Sequence, residues 1–411
     1  MFSYNSLPRE SRHVLDSVPS LIEETFPIPG RFKKSLPSDI AELSRLLTDR
    51  RGERSLSYLS RANFLSAYLR YFLPWNLFRL CVIFPALDIS LCSGDSVTDF
   101  GSGPLTFASA LWISRPDLRA ISIEINCIDR SGPALEAGVK FFNALCGDNS
   151  KWIINIIKEE LDFRKPSLPA RIKKGKKPVL IAAVNLFNEI YETLPHSNAS
   201  ALKKMAADIA VSLHNYASMR ANILTVEPGV PQSGKFISLL RDEFIKLNRP
   251  PASPCPHTLH CPLQMNFSPS DSQKHPQTKN SRSDRKRWCH FAAGTVGVPK
   301  ELHCLSAAAG IPKDRLVFSY LMTGKAQDNY SPVPHKSVRV LSDSFALPDY
   351  QYGRYCCGEK GLVLLYGERK EIEKTACGSL VTPVFAENGR RDKKSGALLA
   401  KINENINGVN K

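Results

Sequence analysis

No stretch of this 411-residue chain approaches the roughly 18 uninterrupted apolar residues that a membrane helix needs, so a membrane-spanning protein is not expected. Its opening residues, "MFSYNSLPRESRHVLDSVPSLIEE", lack the charged-then-apolar pattern of a secretory signal and are too acidic for a clear mitochondrial transit peptide. A soluble intracellular protein is the expectation. Acid is scarce as well: 39 Asp and Glu face 55 Lys and Arg, a net charge of +16. The excess is bunched in "RIKKGKKP", "RSDRKRW" and "GRRDKK", which points to a polyanionic partner, RNA before DNA, bound with strongly salt-dependent affinity. Internal repeats are missing, and so is the G-K-[ST] that completes a phosphate-binding loop.

What is present is an ordered succession. The first 90 residues read as helices, with Phe64, Leu65, Tyr68, Leu69 and Phe72 at three-and-four spacing until Pro74 breaks the pattern. From about 91 to 250, β-branched runs alternate with helical segments: "DSVTDFGSG", "PLTFASALWIS", "AISIEINCID", "SGPALEAGVKFFNAL", "KPVLIAAVNLFNEI" and "ANILTVEPG". That alternation predicts an α/β domain with a parallel, doubly wound, Rossmann-like sheet whose ligand lies beyond the C-terminal strand ends. Residues 251–325 are rich in proline, histidine and serine and read as a cysteine-rich lobe that needs a metal or a partner to order it. Residues 326–390 carry the strand and turn signals of a small β-domain, and 391–411 read as a mobile basic tail.

In "VTDFGSGPLT", Asp99, Gly101 and Gly103 stand where the first strand meets the first helix, so bare backbone and a helix N-terminus face a ligand. Asp129, ending the second strand, is an acceptor for a ribose hydroxyl, with Glu124 as the alternative within that strand. Together these suit S-adenosylmethionine. Leu105 stands where many methyltransferase loops carry a third glycine. Asn185, Asn188 and Glu189, in "VNLFNEI", close a further strand, where they either line the pocket or start a capped helix, and Glu227 ends another strand where a transferred methyl would lie. No tetrad that would position a base or amine for methylation stands out, so whether the protein is an enzyme is left open.

Eleven cysteines without a secretory signal argue for thiols and metal sites rather than disulfides. Residues 255–304 hold four of them and five of the nine histidines. Cys255 and Cys261, in "PCPHTLHCPL", and Cys289, in "RWCHF", are soft ligands on proline-restricted loops. The paired C-x2-C of a zinc ribbon is missing, since five residues separate the first two thiols and twenty-seven the second from the third. "GRYCCGEKG" offers Cys356 or Cys357 as a fourth, and an iron–sulfur cluster fits as well as tetrahedral zinc. His257, His260 and His290 are either further ligands or ordinary polar residues, whereas Cys81, Cys92, Cys127 and Cys146 read as core thiols and Cys304 and Cys377 stay unassigned. The three closely spaced cysteines of radical cofactor enzymes are absent.

In this order "YFLPWNLFRL", "VTDFGSGPLT", "CIDRS", "TVEPGVPQSG", "PCPHTLHCPL", "RWCHF" and "FSYLM" resemble the methyltransferase-like small-ribosomal-subunit assembly proteins of mitochondria and their bacterial relatives, over roughly residues 55–365. The resemblance implies a class I methyltransferase fold with an N-terminal helical cap, a cysteine-rich metal-binding lobe and a small C-terminal β-domain. It implies S-adenosylmethionine on Asp99, Gly101, Gly103 and Asp129, and an iron–sulfur cluster, 4Fe–4S with zinc as the alternative, on Cys255, Cys261, Cys289 and a late cysteine before glycine, Cys357 in preference to Cys356. The implied partner is the small ribosomal subunit and its rRNA. The implied roles are binding during assembly or translation, or S-adenosylmethionine-dependent rRNA methylation. The N-terminal helices resemble those of a bacterial, cytoplasmic member, with the mitochondrial matrix as the alternative.

Overall fold

The β-branched runs assemble into a mixed sheet in the computed structural model, which describes residues 2–48, 58–147, 150–163, 172, 175–191, 199–264, 287–326 and 337–402. Two helices lead, α1 (Arg9–Thr25) and α2 (Gly30–Leu47). On α1, Leu15, Val18 and Ile22 recur at helical spacing and bury one stripe. Helices α3 (Ala62–Ala67) and α4 (Leu73–Ile83) are joined by a π-turn over Tyr68–Phe72. Pro74 therefore does not end the helical run. It sits in the first turn of α4, where an absent N–H costs least, and the wider π-turn takes up the misfit.

The sheet is built by β1 (Asp95–Phe100), β2 (Ile123–Asp129), β3 (Ile153–Lys158), β4 (Leu180–Val184) and β5 (Asn222–Pro228), joined by β6 (Pro251–Ser253), β7 (Phe291–Gly294) and β8 (Arg315–Thr323). Its order is β3-β2-β1-β4-β5-β8-β6, with β7 also on β8. Strands β1 to β5 are parallel, as the alternation predicts. The purely parallel sheet is corrected by β8, which runs antiparallel to β5, and by β6 and β7, antiparallel to β8. These three strands come from the stretch read as a separate lobe, and they extend the central sheet instead.

Helices α5 (Thr106–Ser114), α6 (Gly132–Cys146), α7 (Phe187–Tyr191), α8 (Ala199–Tyr216) and α9 (Pro231–Lys246) follow β1, β2, β4 and β5, and α10 (Lys300–Ala308) precedes β8. One core cluster fills the side of the sheet facing α1, α4 and α5, and a second the side facing α8 and α9.

A second sheet follows, made of β9 (Val338–Val340), β10 (Phe345–Ala346), β11 (Tyr352–Gly358), β12 (Gly361–Gly367), β13 (Leu380–Val381), β14 (Pro383–Phe385) and β15 (Leu398–Ile402), with helix α11 (Arg369–Lys374) packed on it. Strand β15 lies in what reads as a mobile tail, yet it pairs with β12 and β14 because Leu398 and Ala400 face the small core. Phe2 joins the two sheets. Its ring meets Phe291, Phe318 and Tyr320 edge-on, and a Cβ on Gly378, beside the second sheet, would lie 2.1 Å from it.

Candidate functional site

The C-terminal ends of β1, β2, β4 and β5 converge on one polar region. Gly101 and Gly103 have φ of +71° and +51°, values that favour glycine, and a Cβ on Gly101 would strike Leu186 at 2.8 Å. A Cβ on Gly103 would meet nothing within 4 Å, so its face is open. Leu105 is also left-handed, at φ 54°, and wholly buried. Leucine therefore takes the conformation a glycine would take freely, at a backbone cost of roughly 1–2 kcal/mol offset by its buried side chain. Gly138 of α6 lets the loop approach, since a Cβ there would lie 2.5 Å from the Pro104 carbonyl carbon.

Asp129 accepts the N–H of Gly103 through Oδ2 and that of Ser131 through Oδ1, both at 2.8 Å, so the second strand end and the glycine loop are locked together. Glu124 lies five residues earlier and accepts from Asn155 at 2.6 Å, which removes it from this edge. Asp99 accepts from the Ser102 hydroxyl at 2.7 Å through Oδ2, while its buried Oδ1 has no partner among the described residues. Burial pushes the Asp99 carboxyl up to about 8; the Ser102 hydrogen bond opposes the rise and Asp129 adds to it.

Glu227, ending β5, is fully buried and accepts from the Phe187 and Asn188 N–H groups at 2.8 and 3.2 Å, so it caps α7. Burial raises it to about 8 as well. Asn185, left-handed at φ 54°, accepts from Arg79 at 3.0 Å, and the Asn188 Oδ1 is buried without a partner among the described residues. Arg79 is a residue that sequence reasoning passes over. The signal was available, because a lone arginine in the apolar run "LPWNLFRLCVIF" has to meet polar groups when its helix is buried.

A second region lies where the two sheets meet. Cys255 follows β6, Cys261 lies six residues on, Cys289 precedes β7, and Cys357 is on β11. Burial first, then Cys261, Cys255 and Cys289, push the Cys357 thiol well up, while Arg241 pulls it back. Burial, Cys255 and Cys261 do the same to Cys289. The four thiols are thus electrostatic neighbours. Cys356 points the other way, as successive residues on a strand must, and lies in the small core of the second sheet. Among the described residues, no three His, Cys, Asp or Glu side chains are disposed to hold one metal ion.

Around these thiols the loop "PCPHTLHCPL" is clamped by Arg241 of α9, 2% exposed, which donates to the carbonyls of His257 and Leu259 at 2.7 Å each. Arg339 donates to the Pro254 carbonyl at 2.7 Å. His257 is buried, its Nε2 3.7 Å from the Cys357 sulfur, and burial followed by the Arg241 charge lowers it to about 4. His260 is exposed, and His290 stacks on Trp288. Of the expected core thiols, Cys81 and Cys127 are buried, whereas Cys92 is exposed and Cys146 half-buried; of the two unassigned, Cys304 is exposed and Cys377 half-buried. Of the basic run "RSDRKRW", Arg282, Arg285 and Lys286 lie outside the described residues, and Arg287 is half-buried.

Similar solved structures are methyltransferases. A class I S-adenosylmethionine-dependent enzyme of Listeria monocytogenes is 10% identical, with 79% of this chain and 89% of that chain covered at TM-score 0.34. CalO1, a methyltransferase of calicheamicin biosynthesis solved with SAH bound, is 13% identical, with 73% of each chain covered at 0.30. A precorrin-6y C5,15-methyltransferase of Geobacter metallireducens is 12% identical, with 40% and 69% covered at 0.26. No curated protein matches the sequence. The family model described as mitochondrial small ribosomal subunit Rsm22 matches residues 94–345, which hold the central sheet, the glycine loop and three of the four candidate ligand cysteines, Cys255, Cys261 and Cys289. With more than half of its length in that match, the chain belongs to the Rsm22 family.

Proposed function

We propose that this protein binds rRNA of the small ribosomal subunit during assembly or translation, and that a four-cysteine iron–sulfur cluster, 4Fe–4S rather than zinc, ties its two sheets together. What supports the reading is that Cys255, Cys261, Cys289 and Cys357, from four separated segments, raise one another's thiols electrostatically beside the buried guanidinium of Arg241. Four thiolates bring a concentration of negative charge that a buried site tolerates only with a cation at hand, and Arg241, with Arg339 near Cys255, supplies it. Four thiols are the donor set such a cluster takes, although among the described residues no three His, Cys, Asp or Glu side chains are disposed around one metal ion. The partner and the mitochondrial setting are those of the family's description, which favours the matrix over the cytoplasm.

The test is anaerobic purification followed by iron and acid-labile sulfide analysis and a visible absorbance spectrum. Cys357→Ser is expected to lose the iron and the visible band, whereas Cys356→Ser, altering the neighbouring thiol on the opposite face, keeps both. Colourless zinc-loaded protein, or a Cys357→Ser variant with full iron content, would sink the cluster.

A second reading, an active rRNA methyltransferase, is favoured by the orphan Oδ1 of Asp99 and the open face of Gly103. Asp99, Gly101, Gly103 and Asp129 would hold S-adenosylmethionine, which supplies an electrophilic methyl group when bound. The two N–H bonds to Asp129 fix its carboxylate and leave a lone pair on each oxygen for ribose hydroxyls. Calorimetric titration with S-adenosylmethionine at two temperatures checks this, and no affinity at millimolar concentration excludes it.

A further inference from the structure

Between the central sheet and the second sheet lies a cavity of 410 Å³, away from the glycine loop. Its size is that of a small-molecule site rather than a packing defect. One wall follows from strand alternation: Trp288, His290 and Ala292 line it, while Cys289, Phe291 and Ala293 turn into the core. The indole of Trp288 and the imidazole of His290 stack with centroids 4.7 Å apart and planes at 25°. That wall is held in place. Trp288 Nε1 donates to the Gly229 carbonyl at 3.1 Å, and a Cβ on Gly234 would come within 2.7 Å of the indole, so α9 packs directly on the ring. Tyr355 of β11 adds a third ring, and three cations, Arg287, Arg315 and Lys394, share the lining. Asp343, paired with Arg315 at 2.7 Å, places a carboxylate among them.

We infer that this cavity takes one unstacked nucleotide of single-stranded RNA, its base against the Trp288–His290 wall and its phosphate among Arg287, Arg315 and Lys394. Aromatic platforms interleaved with cations recognise splayed bases in this way, whereas duplex RNA keeps its bases stacked and offers phosphates alone. A platform already fixed by hydrogen bonding and packing loses little freedom on binding. The Asp343 carboxylate accepts from an exocyclic amine, which favours adenine, guanine or cytosine over uracil. The inference rests on the RNA-binding reading above and assigns that reading a site.

The experiment uses the full chain at fixed pH and salt. Fluorescence anisotropy follows a labelled six-residue oligoadenylate, and quenching of intrinsic fluorescence by the oligonucleotide reports on Trp288, because Trp75, Trp112 and Trp152 are buried out of its reach. Saturable quenching, absent in Trp288→Phe, and roughly tenfold weaker binding in Arg315→Glu and in Lys394→Glu support the pocket. Both charge changes lie on exposed side chains, so folding is checked simply by an unchanged melting curve. Adenosine monophosphate separates the sources: weaker binding than the oligonucleotide assigns the site to a chain, and equal binding assigns it to a free nucleotide. Oligonucleotide affinity unchanged in both charge variants, with no quenching, overturns the pocket even if the protein still binds structured rRNA. Loss of all RNA binding in the unaltered protein overturns the wider reading instead.

Discussion

At the scale of single residues, one carboxyl beneath the glycine loop gives the fold a pH dependence. Asp99 is wholly buried by the sheet around it and held up to about 8, so the folded protein keeps a proton that the unfolded chain gives up near pH 4. Stability contributed by that proton is complete below the unfolded value and is lost as pH rises towards 8. Asparagine at this position mimics the protonated acid and has nothing to lose over the same window. The melting temperature of Asp99→Asn relative to the unaltered protein is therefore expected to climb steadily from pH 4.5 to 8, by the equivalent of up to a few kcal/mol. Calorimetric melts at several pH values check it. A constant offset would mean that Asp99 is ionised in the folded state.

Among the elements, strand alternation decides what spacing alone left open. Nothing in "RYCCG" selects one cysteine of the doublet, but β11 turns Cys356 into the small core and Cys357 towards the other thiols. The parallel strands β1, β2, β4 and β5 were legible because each is a short β-branched run followed by a helical one. Strand β3 was not, since "IINIIK" is an edge with Ile153 and Ile156 exposed and shows no burial period. Strand β8 was obscured by the proline- and histidine-rich residues before it, although its alternation with β7 builds the sheet's far side. The clamp on the cysteine loop was equally hidden, because it is a contact between α9 and a distant loop. Arg241→Ala leaves the His257 and Leu259 carbonyls without their donor and is expected to cost about 3 kcal/mol or more. Hydrogen exchange localises the effect: amides between 255 and 263 should exchange faster, with Arg241→Lys intermediate because an ammonium keeps the charge and donors but lacks the second nitrogen that pairs with Asp242 and holds the guanidinium in place. Unchanged exchange in that loop would show that the clamp is not what orders it.

For the molecule as a whole, the two sheets, the cysteine neighbourhood and Phe2 form one junction, and the charge is distributed around it. The glycine loop, by contrast, is ringed by buried acids, so the excess of sixteen positive charges is not spent on the site at the sheet edge. It faces outward in Lys176, Lys177, Arg390, Arg391 and Lys393, and in Arg315 and Lys394, which line the pocket between the two sheets. A surface of this kind binds RNA by releasing condensed counterions, which makes affinity a steep function of salt. With about six phosphate contacts, binding of an rRNA fragment is expected to weaken roughly a thousandfold between 50 and 200 mM monovalent salt. Arg390→Glu combined with Arg391→Glu should flatten the slope of log affinity against log salt by about two, because each removed contact retains its counterion. Anisotropy titrations across that salt range measure both quantities. A slope near zero in the unaltered protein would place its recognition in hydrogen bonds and stacking alone and leave the charge imbalance without a role in RNA binding.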